Sequence, residues 1–98
     1  MTLSEKQRRH LKGLAHPLKP VVLMGNAGLT DGVVAEAQRA LNDHELIKVR
    51  LPGLDREARD EALQALAQRT ESTMVTRIGH VAVLYKAHPQ LPRIVLPG

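Results

Sequence analysis

A chain of 98 residues, 43% of them apolar, is long enough for one modest hydrophobic core and too short for two, so we expect a single domain over residues 1–98. The chain has no Cys, Trp or Phe and one Tyr, which excludes disulfide frameworks, zinc ribbons, thiol nucleophiles and binding sheets built on stacked aromatic rings. The net charge is +4, with basic ends (residues 1–30 and 62–98) and an acidic middle (residues 31–61), and this asymmetry favours a polyanionic partner.

The chain shows no segment that would insert in a membrane. Its longest apolar run, 81–85, is far shorter than the ~18 residues of a membrane span, and its first residues lack the apolar core of a signal peptide. We therefore expect a cytoplasmic protein without a membrane partner.

The first half of the chain predicts two helices and two strands. Ser4-Glu5-Lys6-Gln7 has the form of a capping box and begins a helix that runs to about Ala15, with Leu11, Leu14 and Ala15 on one face. The continuous apolar run 20–24 predicts a short buried strand, which the turn 25–28 follows. A second helix runs from about Thr30, its N-cap, to Asp43. In 45–51, alternation predicts a half-exposed strand, with Ile47, Val49 and Leu51 on one face and Lys48 and Arg50 on the other.

The second half predicts one helix and a hairpin. Asp55 caps a third helix over 56–69, and strands at 74–78 and 81–86 are separated by Gly79-His80, which is typical of a tight antiparallel hairpin. Between Pro92 and Pro97, residues 94–96 are predicted as an edge strand. The order helix, strand, helix, strand, helix, strand, strand indicates an α/β domain with helices against one mixed four-stranded sheet.

Gly25-Asn26-Ala27-Gly28 lies between a predicted strand and a helix start. Two glycines let the backbone turn and leave room for another chain to approach closely, and the following helix start presents unpaired N–H groups that favour phosphate. A GxxG loop clamps the nucleic-acid backbone in KH domains. The same pattern also occurs in plain strand-to-helix turns, and neither Asn26 nor Ala27 is basic.

The first helix carries a stripe of basic residues. Arg8, Lys12 and His16 are spaced four residues apart, Arg9 lies beside them, and Glu5 is the one acidic residue nearby. The third helix, by contrast, mixes both signs as a merely solvated surface does. The stripe therefore predicts a surface that contacts phosphate.

Catalytic and metal sites are not indicated. The five histidines lack the paired spacing of metal ligands, and Asp60 and Glu61 are helix neighbours that point apart. We expect neither a cofactor nor a metal, and no enzymatic activity.

A longer pattern resembles a known family. Residues 7–30 are similar to the signature of the YhbY family, the bacterial stand-alone form of the CRM domain, named for chloroplast RNA splicing and ribosome maturation. The similarity continues at 40–41, 44–49, 78–79 and 83–86, so that it spans about residues 3–86 and leaves 87–98 as a C-terminal extension. It thins between Leu51 and Met74, and no functional role is carried onto the third helix.

The resemblance implies an RNA-binding domain akin to the C-terminal domain of bacterial translation initiation factor three, and association with ribosomal RNA in precursors of the large ribosomal subunit. It places a C-terminal aromatic–basic pair on Tyr85-Lys86. The predicted RNA-binding residues are Arg8, Arg9, Lys12, His16, Lys19, Gly25, Asn26, Ala27, Gly28, Tyr85 and Lys86. The alternative is a protein–protein adaptor that docks through the sheet or the acidic middle helices. We expect a monomer.

Overall fold

A computed structural model describes residues 2–53 and 55–98. Within this part of the chain, helices and strands follow one another as α1 (Glu5–Ala15), β1 (Pro20–Leu23), α2 (Asp31–His44), β2 (Leu46–Arg50), α3 (Arg56–Thr70), β3 (Thr73–Ile78) and β4 (Val81–Tyr85). The predicted α/β class and the predicted order of elements are confirmed.

Each helix begins where the sequence places a capping side chain. The Ser4 hydroxyl accepts a hydrogen bond from the Gln7 amide at 3.1 Å, and the Gln7 side chain accepts one from the Ser4 amide at 3.0 Å, which completes the capping box. Thr30 Oγ1 accepts from the amide of Val33 at 3.2 Å, and Asp55 Oδ1 from the amide of Ala58 at 2.8 Å. These bonds satisfy amides that the first turn of a helix leaves without partners.

The sheet is mixed, with strand order β1-β2-β4-β3. β1 runs parallel to β2, whereas β4 is antiparallel to both β2 and β3. The predicted hairpin joins β3 and β4, and Gly79 has a φ of 58°, a left-handed conformation that suits glycine. Two strands, β1 and β3, lie at the edges.

Helices cover both faces of the sheet. On one face α2 and α3 close a cluster around Ile47, Val49 and Leu84. On the other face α1 packs Leu11 and Ala15 on a smaller cluster that contains Val83 and Tyr85. The alternation in β2 explains the arrangement, because Ile47, Val49 and Leu51 are buried while Lys48 is half-buried and Arg50 exposed. The predicted faces of β2 are confirmed.

The prediction of a buried first strand is wrong. In β1 only Val22 is buried, and Val21 and Leu23 are 47% and 63% exposed. The strand lies at the edge of the sheet, so the face opposite Val22 has no full covering layer. A continuous apolar run in the sequence does not distinguish a strand covered on both faces from an edge strand covered on one. Leu14, predicted on the same face of the first helix as Leu11 and Ala15, is 41% exposed, whereas those two residues are buried.

Residues 94–96 do not form the predicted edge strand. Pro92 and Pro97, which have no N–H to donate to a sheet, flank an irregular segment instead. Ile94 and Leu96 still pack against the cluster beneath α1, together with Ala87. The segment 87–98 therefore covers part of the sheet without pairing with it. Among the described helices, none is both long and apolar enough to span a membrane.

Candidate nucleic-acid interface

The exposed side of α1 carries the basic residues predicted from the sequence. Arg9, Lys12 and His16 are all exposed, and no hydrogen bond or salt bridge joins their side chains to another described residue. Lys19, in the segment that leads into β1, is also exposed and without such a partner. These four residues leave their charge or hydrogen-bonding capacity available to a ligand.

Arg8 differs from the rest of the stripe. Its guanidinium Nη1 donates to the carbonyl oxygens of Met74, at 3.0 Å, and Val75, and the residue is half-buried. These carbonyls belong to β3, where the ladder with β4 is irregular between Met74 and Thr76. Arg8 therefore holds α1 on the edge of the sheet, and its guanidinium is less available to phosphate than the sequence predicts.

The loop between β1 and α2 is a tight turn. The Gly28 amide donates to the Gly25 carbonyl at 2.9 Å, and Gly28 has a φ of 75°, whereas Gly25 has no left-handed φ. A side-chain carbon added to either glycine would meet no atom within 4 Å. Asn26 and Ala27 at the tip are exposed. The turn is thus open to an approaching chain, as the GxxG pattern requires.

The N-terminus of α2 is less favourable to an anion than the sequence suggests. The Thr30 hydroxyl accepts a hydrogen bond from the Val33 amide, and the Thr30 carbonyl accepts one from the Val34 amide. The first-turn amides that these two bonds leave for an anion are those of Asp31 and Gly32. The Asp31 carboxylate, 95% exposed, lies at this same end and accepts from Arg69 at 2.7 Å. Its negative charge, which Arg69 offsets, competes with a phosphate for the end of the helix.

The predicted pair Tyr85-Lys86 lies elsewhere. The Tyr85 side chain is 2% exposed, and burial together with the nearby Glu45 charge raises its pKa. Its ring is part of the core and offers no exposed face to a ligand, so a role for Tyr85 in RNA binding stays a prediction. Lys86 is half-buried, and its ammonium donates to the Thr70 carbonyl at the end of α3 at 3.1 Å. That bond engages the charge that was predicted to meet RNA.

Bonding divides the fourteen basic side chains into two groups. Seven donate to backbone carbonyls, carboxylates or a histidine ring: Arg8, Lys48, Arg59, Arg69, Arg77, Lys86 and Arg93. The other seven have no such bond to a described residue: Lys6, Arg9, Lys12, Lys19, Arg39, Arg50 and Arg56. Four of these seven lie within residues 6–19, so the free positive charge is concentrated on α1 and the segment after it.

Arg50 is the free basic residue near the loop that sequence reasoning missed. It ends β2, and its carbonyl accepts from the Met24 amide at 2.8 Å, one residue before Gly25. The strand pairing therefore places an exposed arginine beside a loop that carries none of its own. The alternation in β2 predicts that Arg50 is on the outer face of the strand. Its position beside the loop depends on the pairing of β2 with β1, which joins residues far apart in the chain.

The other basic residue on this face of β2 has a structural role. The Lys48 ammonium donates to the carbonyls of His16 and Leu18 at 3.2 and 2.9 Å, and so binds the C-terminal end of α1 to the sheet. A cavity of about 410 Å³ opens beside it, lined by apolar side chains and three basic or titratable ones: Leu14, Leu18, Lys19, Val21, His44, Leu46, Ile47, Lys48 and Ile94.

A mixed sheet with α1 on one face and two helices on the other defines a small α/β domain, which carries an open turn after its first strand and an exposed basic helix. A model of the CRS1 / YhbY (CRM) domain matches residues 3–86, and the chain belongs to this family.

Relatives from several organisms support the same assignment. An RNA-binding protein of Haemophilus influenzae is 52% identical over 96 residues, covering 94% of this chain and 97% of its own. The probable RNA-binding protein YqeI of Bacillus subtilis is 35% identical over 95 residues, covering 97% and 99%. A Staphylococcus aureus protein solved in solution and described as a candidate RNA-binding protein superposes with a TM-score of 0.84 at 30% identity, covering 98% of this chain and all of its own.

Proposed function

We propose that this protein is a non-enzymatic RNA-binding protein that associates with precursors of the large ribosomal subunit and acts in their assembly. The names of its relatives support the RNA part of the proposal. The ribosomal part rests on the resemblance to the YhbY family. The observation that carries the proposal is the concentration of free basic side chains at Lys6, Arg9, Lys12 and Lys19.

Phosphate contacts release counterions, so binding through these residues depends on salt. For about four contacts, the logarithm of the association constant should fall with the logarithm of salt concentration at a slope of roughly −2.8 to −3.6. Docking through apolar surface lacks this dependence, which separates RNA binding from the adaptor alternative.

The test uses a transcript of large-subunit ribosomal RNA and single alanine variants. Arg9→Ala and Lys12→Ala should each weaken binding and reduce the slope by about one unit. Arg39→Ala is the matched control, because Arg39 is also exposed and has no hydrogen bond or salt bridge to a described residue, but lies on α2. Slopes that stay at the wild-type value in both α1 variants would remove α1 from the interface.

Arg8→Ala gives a different expected result. Loss of its bonds to the β3 carbonyls should lower the free energy of unfolding by about 1 kcal/mol, with little change in the salt slope. This contrast distinguishes a structural arginine from the neighbouring Arg9.

The ribosomal part of the proposal is tested separately in cells. Tagged protein should sediment with large-subunit precursors in a sucrose gradient, and crosslinking should recover their RNA. If the tagged protein stays at the top of the gradient with free proteins, or if crosslinking recovers unrelated RNA, the ribosomal part of the proposal is overturned even if RNA binding in vitro holds.

A further inference from the structure

One end of the sheet presents a row of four side chains, one from each strand. The pairing aligns Leu23 with Arg50, Arg50 with Val81, and Val81 with Ile78. Because paired residues of neighbouring strands face the same side, all four side chains share one face. We call this row the shelf.

The shelf lies on the α1 side of the sheet, beyond the part that α1 covers. Lys48 and Val83 occupy the next row on the same face, where Lys48 binds the end of α1 and Val83 packs beneath that helix. Leu23 and Ile78 are 63% and 75% exposed, and Val81 is half-buried. A shallow cavity of about 230 Å³ lies along these two rows, lined by Pro20, Lys48, Ile78, Val81 and Val83.

The shelf combines apolar contact with one positive charge. Arg50 lies in the row between Leu23 and Val81, and its guanidinium has no hydrogen bond or salt bridge to a described residue. The polar side chains of the two rows are Lys48, Arg50 and Thr76, none of them acidic. The open Gly25–Gly28 turn follows Leu23 after a single residue.

We propose that the shelf binds an unpaired segment of RNA, with base and sugar packed on Leu23, Val81 and Ile78 and the adjoining phosphate bound by Arg50. This inference rests on the proposed function and specifies the kind of RNA that this end of the sheet takes.

The chemistry selects an unpaired segment over a duplex. In an A-form duplex the faces of the bases are stacked inside, and the protein meets phosphates and hydroxyl groups. Only an unpaired base can lay its apolar face on aliphatic side chains and bury them from water. A protein ligand would also cover the apolar residues, but the two charged groups of these rows are both cationic, and this charge and the adjoining open turn favour a chain with a phosphate backbone.

Methyl NMR tests the proposal on the unaltered protein. The chain has three isoleucines, Ile47, Ile78 and Ile94, so δ1-methyl labelling yields one reporter on the shelf and two internal controls. Ile47 is buried on the opposite face, and Ile94 lies in the C-terminal segment. A single-stranded pentanucleotide of RNA should shift the Ile78 signal and leave the other two in place. An unmoved Ile78 signal at saturating oligonucleotide would overturn the proposal.

Binding measurements supply the second test, with two hairpin RNAs that share one stem, one blunt and one with a five-nucleotide single-stranded overhang. The wild type should bind the overhang RNA about tenfold more tightly. Ile78→Ser should remove about fivefold of that preference while keeping affinity for the blunt RNA, and Arg50→Gln should weaken binding of the overhang RNA about fivefold more than binding of the blunt RNA. The controls are Leu91→Ser, whose side chain is 74% exposed, and Arg39→Gln.

The outcomes separate this proposal from the proposed function. If the wild type binds the two hairpins with equal affinity, or if both shelf variants keep the wild-type preference, the proposal that the shelf binds unpaired RNA is overturned while RNA binding itself stands. The ligand of the exposed row would then be a protein. Failure to bind either hairpin or the ribosomal transcript overturns the proposed function itself.

Discussion

Basic side chains of the same type have different roles here because some lie close to backbone carbonyls at the ends of elements. Arg8 reaches the edge of β3, Lys48 the end of α1 and Lys86 the end of α3, whereas Arg9 and Lys12 point to solvent. Helical spacing predicts which residues share a face. It does not predict which of them meet a carbonyl, because those carbonyls lie up to 67 residues away in the chain.

Glu45 is the buried charge of the molecule's described part. It follows α2 with a φ of 64°, and its carboxylate accepts from the amides of His88, Arg93 and Ile94 at 2.7, 2.7 and 2.9 Å. Burial by itself raises the pKa of this carboxyl, but the three amide donors and the Arg93 charge outweigh it, and the pKa is lowered. Glu45 therefore binds its neighbours in the charged form.

This lowered pKa predicts a pH-dependent contribution to stability. The contribution of Glu45 is fully present above the unfolded-state pKa of about 4.3 and is lost as pH falls through the lower folded-state value. At pH 7, Glu45→Gln should lower the free energy of unfolding by about 1–3 kcal/mol, because three amide donors lose a charged acceptor. Urea denaturation at a series of pH values measures the difference, which should narrow on acidification.

The control for this experiment is Glu36→Gln, an exposed position on α2. It should leave stability near the wild-type value throughout. A constant difference between wild type and Glu45→Gln from pH 7 down to pH 3 would contradict the role of the Glu45 charge.

At the scale of the elements, the sequence predicts helices better than strands. Ser4, Thr30 and Asp55 each mark a helix start that the structure confirms, because capping acts within three residues. Strand order and the covering of each face depend on distant partners. That is why β1 was expected to be buried, and why the position of Arg50 beside the loop did not follow from its spacing.

The Gly25–Gly28 turn predicts a separation of stability from binding. Asn26→Asp combined with Ala27→Asp should change stability by no more than about 0.5 kcal/mol, because both side chains are exposed and the bond that closes the turn joins backbone atoms. Two negative charges beside the expected phosphate should lower RNA affinity about tenfold, or ~1.4 kcal/mol. Melting temperature and affinity are measured on the same preparation.

Net charge is controlled by placing the same two charges elsewhere. Gln64→Glu combined with Gln68→Glu adds them to exposed positions of α3 and should leave affinity much closer to wild type. If both double variants lose affinity equally, long-range charge accounts for the effect and the turn is only structural.

For the molecule as a whole, residues 87–98 belong to the packed structure although the family match ends at Lys86. They bring Ile94 and Leu96 to the cluster beneath α1 and supply all three amide donors to Glu45. Truncation after Lys86 should therefore lower the free energy of unfolding by about 3 kcal/mol or more.

Chemical denaturation measures this loss. Leu91→Ser and Val95→Ser are the controls, because their side chains are 74% and 83% exposed and should contribute little. A truncated chain that unfolds at the same denaturant concentration as the full one would show that the segment adds no stability.

The donors to Glu45 also impose an order on folding during synthesis. Residues 88–94 follow every helix and strand in the chain, and they are 43 to 49 positions away from Glu45. While a nascent chain still holds them in the ribosomal exit tunnel, the carboxylate has no amide to receive it in the core and remains hydrated, which opposes closure of the face beneath α1. The domain should thus complete its folding only after these residues leave the tunnel. Arrested chains in which they have not emerged should be degraded by proteases, and chains long enough for them to have emerged should resist.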